Sequence, residues 1–142
     1  MKAKEYLSQA LRLKRRYTNA MEDLETIRSM ASGVTAIRYD KDQIQSSPRN
    51  DQMAQYMIRL EKAEARAFKA AEEYFGRFEV IRMQIDMITP QLYSDLLYLR
   101  YIKGERLFEI ADELGYEYTY MRYIHGKALS EFSKIFPEAL KE

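Results

Sequence analysis

Ala3, Tyr6, Ala10, Leu13, Tyr17, Ala20, Leu24, Ile27 and Ala31 recur at alternating steps of three and four residues. That rhythm is the a/d seam of a coiled coil, held for about four heptads, and it predicts a helix over about residues 2–31. Leu7, Leu11 and Met21 widen the apolar stripe, as expected of a helix buried against more than one neighbour. A second stripe runs through Met53, Tyr56, Met57, Leu60, Ala63, Ala67, Ala70, Ala71, Tyr74, Phe78, Ile81, Ile85 and Ile88. It predicts a helix over about residues 51–88, with a period nearer 3.6 than 3.5. Its small central residues allow a partner helix to come close. Between the two helices the pattern breaks. Ser32-Gly33 reads as a helix end with Gly33 near the C′ position. One turn of helix fits around Val34–Ile37, and Ser46–Asp51 is polar and turn-forming, with Pro48 disfavouring helix at Ser47. Residues 32–50 therefore read as a loop, and residues 1–88 as an antiparallel helical hairpin. The helix that covers each stripe belongs either to the same chain or to a second copy of it.

Beyond Ile88 the pattern changes to short helices. Thr89 suits an N-cap and Pro90 a first helical position, which starts a helix over about residues 90–102, closed by Gly104. A short helix over about Leu107–Leu114 ends at Gly115. A last helix runs over about Tyr118–Phe132, and Pro137 ends regular structure. The expected fold is all-α: the long hairpin, then a three-helix module over 89–136, then a tail over 137–142. Helix, glycine turn, helix is the layout of a helix-turn-helix, in which a bracing helix fixes a reading helix for the DNA major groove. Ile110, Ala111 and Leu114 share one face of the bracing helix. Met121, Ile124 and Ala128 share the inward face of the reading helix.

Composition narrows the class. Few glycines and prolines (five and three) favour long helices over many short strands. The chain has no cysteine and one histidine, so thiolate sites and histidine clusters are excluded and no metal or other cofactor is expected. No apolar run approaches the roughly 20 residues that span a bilayer, and the start lacks a signal-peptide core. A soluble cytoplasmic protein without membrane contact is the expectation. No enzyme is expected either, since there is no phosphate-cradling glycine loop and no nucleophile–base pair around His125. The net charge of +1 gives no broad support for a nucleic-acid partner. Residues 1–31 carry seven basic and four acidic side chains, whereas residues 91–142 carry seven basic and nine acidic. A DNA-reading module is usually basic on its contact face, so the C-terminal balance runs against such a role. Within it the acids cluster at Glu105, Glu109, Asp112, Glu113 and Glu117, whereas the last helix has Arg122, Lys127 and Lys134 against Glu131, a favourable field on that helix alone.

Local placement gives a sharper view. With Met121, Ile124 and Ala128 inward, Tyr118, Thr119, Arg122 and Tyr123 face outward near the start of the last helix, where groove-entering helices place base contacts. Arg122 suits bidentate recognition of guanine. Tyr118 and Tyr123 suit thymine methyls or phosphates, Thr119 either, and Lys127, a turn further on, phosphate. The bland alternative is a helix–Gly–helix that touches no DNA. Seven of the twelve tyrosines fall between Tyr93 and Tyr123, and core packing is the expected role of Tyr98 and Tyr101. His125 reads as a surface or phosphate-facing residue. Gly126 within the reading helix costs on the order of 1 kcal/mol relative to alanine, which a close approach to DNA or to a partner helix would explain, as would simple tolerance.

The ordered elements Leu96-Leu97, Leu99-Arg100-Tyr101, Gly104, Glu109-Ile110-Ala111, Leu114-Gly115 and Lys127-Ala128-Leu129 resemble the C-terminal promoter-reading domain, region 4, of bacterial primary-type sigma-70 factors. The whole chain is also similar to short phage-encoded proteins of low-GC Gram-positive bacteria, including the ArpU and RinA types that activate phage late transcription. The resemblance implies a phage or prophage regulator that binds double-stranded promoter DNA. Its hairpin would form a homodimer or dock on host RNA polymerase. Only Arg122 and Lys127 match region 4 in kind; Tyr118, Thr119 and Tyr123 stand where charged or amide side chains usually read the −35 element. The sequence read should therefore differ from the usual hexamer. Nothing resembles sigma region 2, so promoter melting is not implied. The alternatives are a DNA-packaging adaptor of the small-terminase kind and a module that binds protein rather than DNA.

Overall fold

The computed structural model describes the main chain of residues 1–40 and 47–141, and the side chains of residues 1–30 and 51–141. Five α-helices follow in order: α1 (Ala3–Asp40), α2 (Ser47–Asp86), α3 (Gln91–Tyr101), α4 (Leu107–Leu114) and α5 (Tyr118–Ile135), and then a 3-10 turn over Glu138–Lys141. The described residues contain no strand, and their regular structure is all helical. None of these helices is long and apolar enough to cross a membrane.

The long helices extend beyond their expected ends. Gly33 does not terminate α1, which continues to Asp40. A glycine inside a helix costs only about 1 kcal/mol, and no proline follows until Pro48. α2 begins at Ser47 rather than about 51. Pro48 sits in its first turn, where a main-chain N–H would have no helical partner anyway. The loop expected over 32–50 is thus helical over 32–40 and 47–50, and its remainder lies outside the described residues, as does the side chain of Ala31. Thr89 does not cap α3. Pro90, with the extended ψ of 172°, holds the N-cap position, and the helix starts at Gln91.

The chain divides into two compact units, Arg15–Glu73 and Met1–Lys14 with Tyr74–Glu142. The boundary read at Thr89-Pro90 separates α2 from α3, but it does not separate the compact units. In Arg15–Glu73, α1 and α2 lie side by side with opposite directions: Arg28 faces Glu64 at 3.8 Å and Asp23 faces Arg66 at 4.0 Å. Ala20, Leu24, Ala63 and Ala67 form the buried seam, with Ile27, Leu60 and Ala70 beside them. Met21 and Met57, expected on the apolar stripes, are exposed.

The other unit has a larger core. Tyr6, Leu7 and Ala10 of α1 and Ile81, Ile85 and Ile88 meet Leu96, Leu97 and Tyr101 of α3, Ile110 and Ala111 of α4, and Met121, Ile124, Ala128 and Phe132 of α5. The rings of Tyr6 and Phe132 lie 5.8 Å apart, and the Tyr6 hydroxyl donates to Gln84 Oε1 at 2.7 Å. Ser94, buried in α3, donates from Oγ to the Ile85 carbonyl at 2.9 Å. The expected tail is also tied down. It makes a 3-10 turn, Ala139 and Leu140 pack on the core, and the Met1 ammonium donates to the Leu140 carbonyl at 2.9 Å.

Candidate nucleic-acid interface

α3, α4 and α5 pack on one another in pairs, and the connections between them are specified residue by residue. After α3, Gly104 adopts φ +75° with Leu11 Cδ2 3.4 Å from where a Cβ would stand. Arg100 Nη1 donates to the Glu105 carbonyl at 2.9 Å, and the Glu105 N–H returns to the Leu99 carbonyl at 3.0 Å. Glu109, in the first turn of α4, accepts the Arg106 main-chain N–H at 3.2 Å. α4 ends in a Schellman motif: Gly115 at φ +80°, its N–H on the Asp112 carbonyl, and the Tyr116 N–H on the Ala111 carbonyl at 2.9 Å. A side chain at 115 would be strained there. Three residues, Gly115–Glu117, then lead into α5.

Met121, Ile124, Ala128 and Phe132 are buried beneath α5, and Ile110 and Ala111 beneath α4, with Leu114 half-buried. The inward faces are those the periodicity specifies. The opposite face of α5 carries Tyr118, Thr119, Arg122, Tyr123 and Lys127, all exposed and all on one helix. They form two pairs at i, i+4. The Arg122 guanidinium lies 5.7 Å from the Tyr118 ring centre, and Lys127 Nζ lies 5.4 Å from that of Tyr123. Cation–π contact of this kind holds each cation back toward the helix N-terminus, the direction helical side chains already favour. Thr119 stands between the two pairs.

Two aromatic residues escaped sequence reasoning. Tyr116 in the turn and Tyr120 are both exposed, with ring centres 5.3 Å apart. Their clustering was visible, but which tyrosines face outward depends on where α5 begins.

Charge is segregated as the helix-by-helix reading of the sequence expects. No acidic residue occurs from Tyr118 to Ser130, whereas Glu109, Asp112 and Glu113 are exposed on α4. Glu105 Oε2 is shut off from solvent. That burial, then a hydrogen bond and like charge from Glu113, push the Glu105 carboxyl above the usual carboxylate range.

His125 is not surface-facing. It is half-buried, with Nε2 2.7 Å from the Tyr101 hydroxyl and the two rings stacked at 5.8 Å. Burial, then the positive charges of Arg100 and Lys4, lower its pKa to about 4, so the ring is neutral at physiological pH. Burial pushes Tyr101 up to about 12 against the pull of Arg100. Tyr101 is a core residue and Tyr98 a half-buried one, both in the packing role expected of them. Gly126 is exposed on the outer face, and a Cβ there would meet nothing within 4 Å.

A scan of protein-family models and searches of curated proteins and of solved structures each find no match to this chain.

Proposed function

We propose that the chain is a sequence-specific DNA-binding transcription regulator, with α4–Gly115–α5 as its helix-turn-helix and α5 as the reading helix. The observation that carries this reading is the outer face of α5, where Tyr118, Thr119, Arg122, Tyr123 and Lys127 stand exposed on a helix segment without an acidic residue. α5 has 18 residues, or about 27 Å, and an α-helix with its side chains is about as wide as the major groove. Arg122 supplies the base-edge contact, Tyr118 and Tyr123 meet thymine methyls or phosphates, Thr119 either of these, and Lys127 meets phosphate. The exposed acids Glu109, Asp112 and Glu113 belong to α4 and Glu117 to the turn, so the stretch Tyr118–Ser130 is locally basic although residues 91–142 are acidic as a whole.

The resemblance to sigma region 4 and to phage late regulators supports the same reading and adds a setting. The chain is a phage or prophage late-gene activator acting in the cytoplasm. The antiparallel α1–α2 pair is its hairpin, serving homodimerisation or docking on host RNA polymerase.

The test is selection of bound duplexes from a random-sequence library at about 100 mM salt, a concentration at which phosphate contacts alone bind weakly. An enriched motif is expected, and Arg122→Ala should lose about 1–3 kcal/mol of discrimination at one position of it. Recovery of no motif, or an Arg122→Ala preference identical to that of the parent protein, overturns the reading or the site assignment respectively.

A further inference from the structure

Gly126 has no reason to be glycine within the chain. It lies inside α5, not among the residues of positive φ, and a Cβ would point into open space. Glycine is the poorest helix former after proline, so the position weakens the helix and contributes nothing to packing. Its neighbours on the helix surface are the site residues themselves. Arg122 and Tyr123 lie one turn before it and Ser130 one turn after, all exposed, with Thr119 two turns before. The bare point is therefore at the middle of the outer face, flanked by the one guanidinium and one of the tyrosines already assigned to DNA.

Resting on the DNA-binding reading, we propose that Gly126 is the point at which the main chain of α5 meets the duplex. The helix then lies along the groove from Thr119 to Ser130 instead of entering by its first turn alone. The physical reason is reach. Main-chain atoms of a helix lie about 2.3 Å from its axis, whereas side chains extend the radius to about 5–6 Å. In a groove about 8.5 Å deep, a helix stripped at its centre sits lower, and Arg122 and Tyr123 reach base edges without being held off by a side chain between them and Ser130. Thr119 and Ser130, short hydroxyl side chains, fit the same close approach. The contact surface so defined adds Gly126 and Ser130 to the five residues of the first turns.

Gly76 provides a matched control. It too is exposed within a helix, α2, and a Cβ there would also meet nothing within 4 Å. Three variants of the full chain, Gly126→Ala, Gly126→Leu and Gly76→Ala, would be titrated against the duplex most enriched in the library selection, with melting temperature measured alongside. All three variants should melt higher than the parent protein, because each replaces glycine with a better helix former. Gly126→Leu should bind about tenfold more weakly or worse, the scale of one lost base-edge contact, with Gly126→Ala between it and the parent. Gly76→Ala should leave affinity unchanged. Gly126→Leu binding within about twofold of the parent overturns the close approach while leaving DNA binding intact. An equal loss in Gly76→Ala also overturns it, since helix stiffness rather than contact would then be responsible. If the parent protein enriches no duplex, the DNA-binding reading falls, and this inference with it.

Discussion

In Arg15–Glu73 the two long helices bury Ala20, Leu24, Ala63 and Ala67, whereas in the other unit the same two helices bury Tyr6, Leu7, Ile81 and Ile85 against three more. The a/d rhythm does not change along α1, yet what it buries does. Full burial of a large apolar side chain contributes about 1.5–3 kcal/mol, and an alanine far less. A two-helix seam lined with alanine holds helices close but supplies little hydrophobic free energy. Stability should therefore concentrate in the unit that carries the candidate interface, and the first turns of α1 are part of that unit's core.

Tyr6→Ala should break the comparison most severely. It removes a fully buried ring against Phe132 and the hydrogen bond to Gln84, at a cost of about 3–5 kcal/mol. Leu24→Ala, in the thin seam, should cost about 2 kcal/mol, because the exposed pair can close around the gap. Amide exchange resolved by residue checks both. Tyr6→Ala should unprotect α3 and α5, and Leu24→Ala only Arg15–Glu73. Loss of protection in α5 from Leu24→Ala would show that the two units unfold as one.

Acid sharpens the same contrast. The unfolded chain protonates its histidine near pH 6.5, whereas folded His125 resists until about pH 4. Between those values the unfolded state holds more protons, so stability is lost as pH falls through the window. Melting near pH 4.5 should therefore fall below that near pH 7 by more in the parent than in His125→Gln. The loss should register in the unit containing α5, since Arg15–Glu73 has no histidine. Equal falls in the two proteins would remove His125 as the cause.

Glu105 carries the opposite sign. Its carboxyl pKa is raised, so the folded state binds the extra proton and the contribution is lost as pH rises through the raised value. Glu113→Gln, which removes the like charge, should raise the melting temperature at neutral pH and do less in acid. The smallest effect is expected in the thin unit. Arg28→Ala breaks an ion pair of half-exposed groups at 3.8 Å and should cost no more than about 0.5 kcal/mol by denaturant titration, vanishing in high salt. A larger loss would mean that surface charge, not the alanine seam, holds α1 to α2.

Within the candidate interface, the outward placement of Tyr118, Thr119, Arg122, Tyr123 and Lys127 was legible because a 3.6-residue period assigns both faces of a helix at once. The pairing of Arg122 with Tyr118 and of Lys127 with Tyr123 was implicit in the i, i+4 spacing. The place of His125 was not legible. At the edge between the faces, periodicity leaves a residue undecided, and its partner Tyr101 lies 24 positions away in α3. The separation of acidic α4 from α5, whose one acidic residue is Glu131, was legible once the charges over 91–142 were divided helix by helix.

For the fold, the sequence by itself determined that there are helices here and most of their buried positions, Met21 and Met57 excepted, and even the limits of α4 at Leu107 and Leu114, because a glycine C-cap and hydrophobic period act within a few residues. It did not decide how far α1 runs past Gly33, since one glycine weakens a helix without breaking it. Only the tertiary structure decided that Tyr6 and Leu7 share a core with Phe132 and Ile110, that Met1 is bonded to Leu140, and hence that the first turns of the chain support the last helix. An apolar stripe states that it must be covered. Which of several apolar surfaces covers it depends on packing between residues far apart in sequence, and no local pattern carries that information.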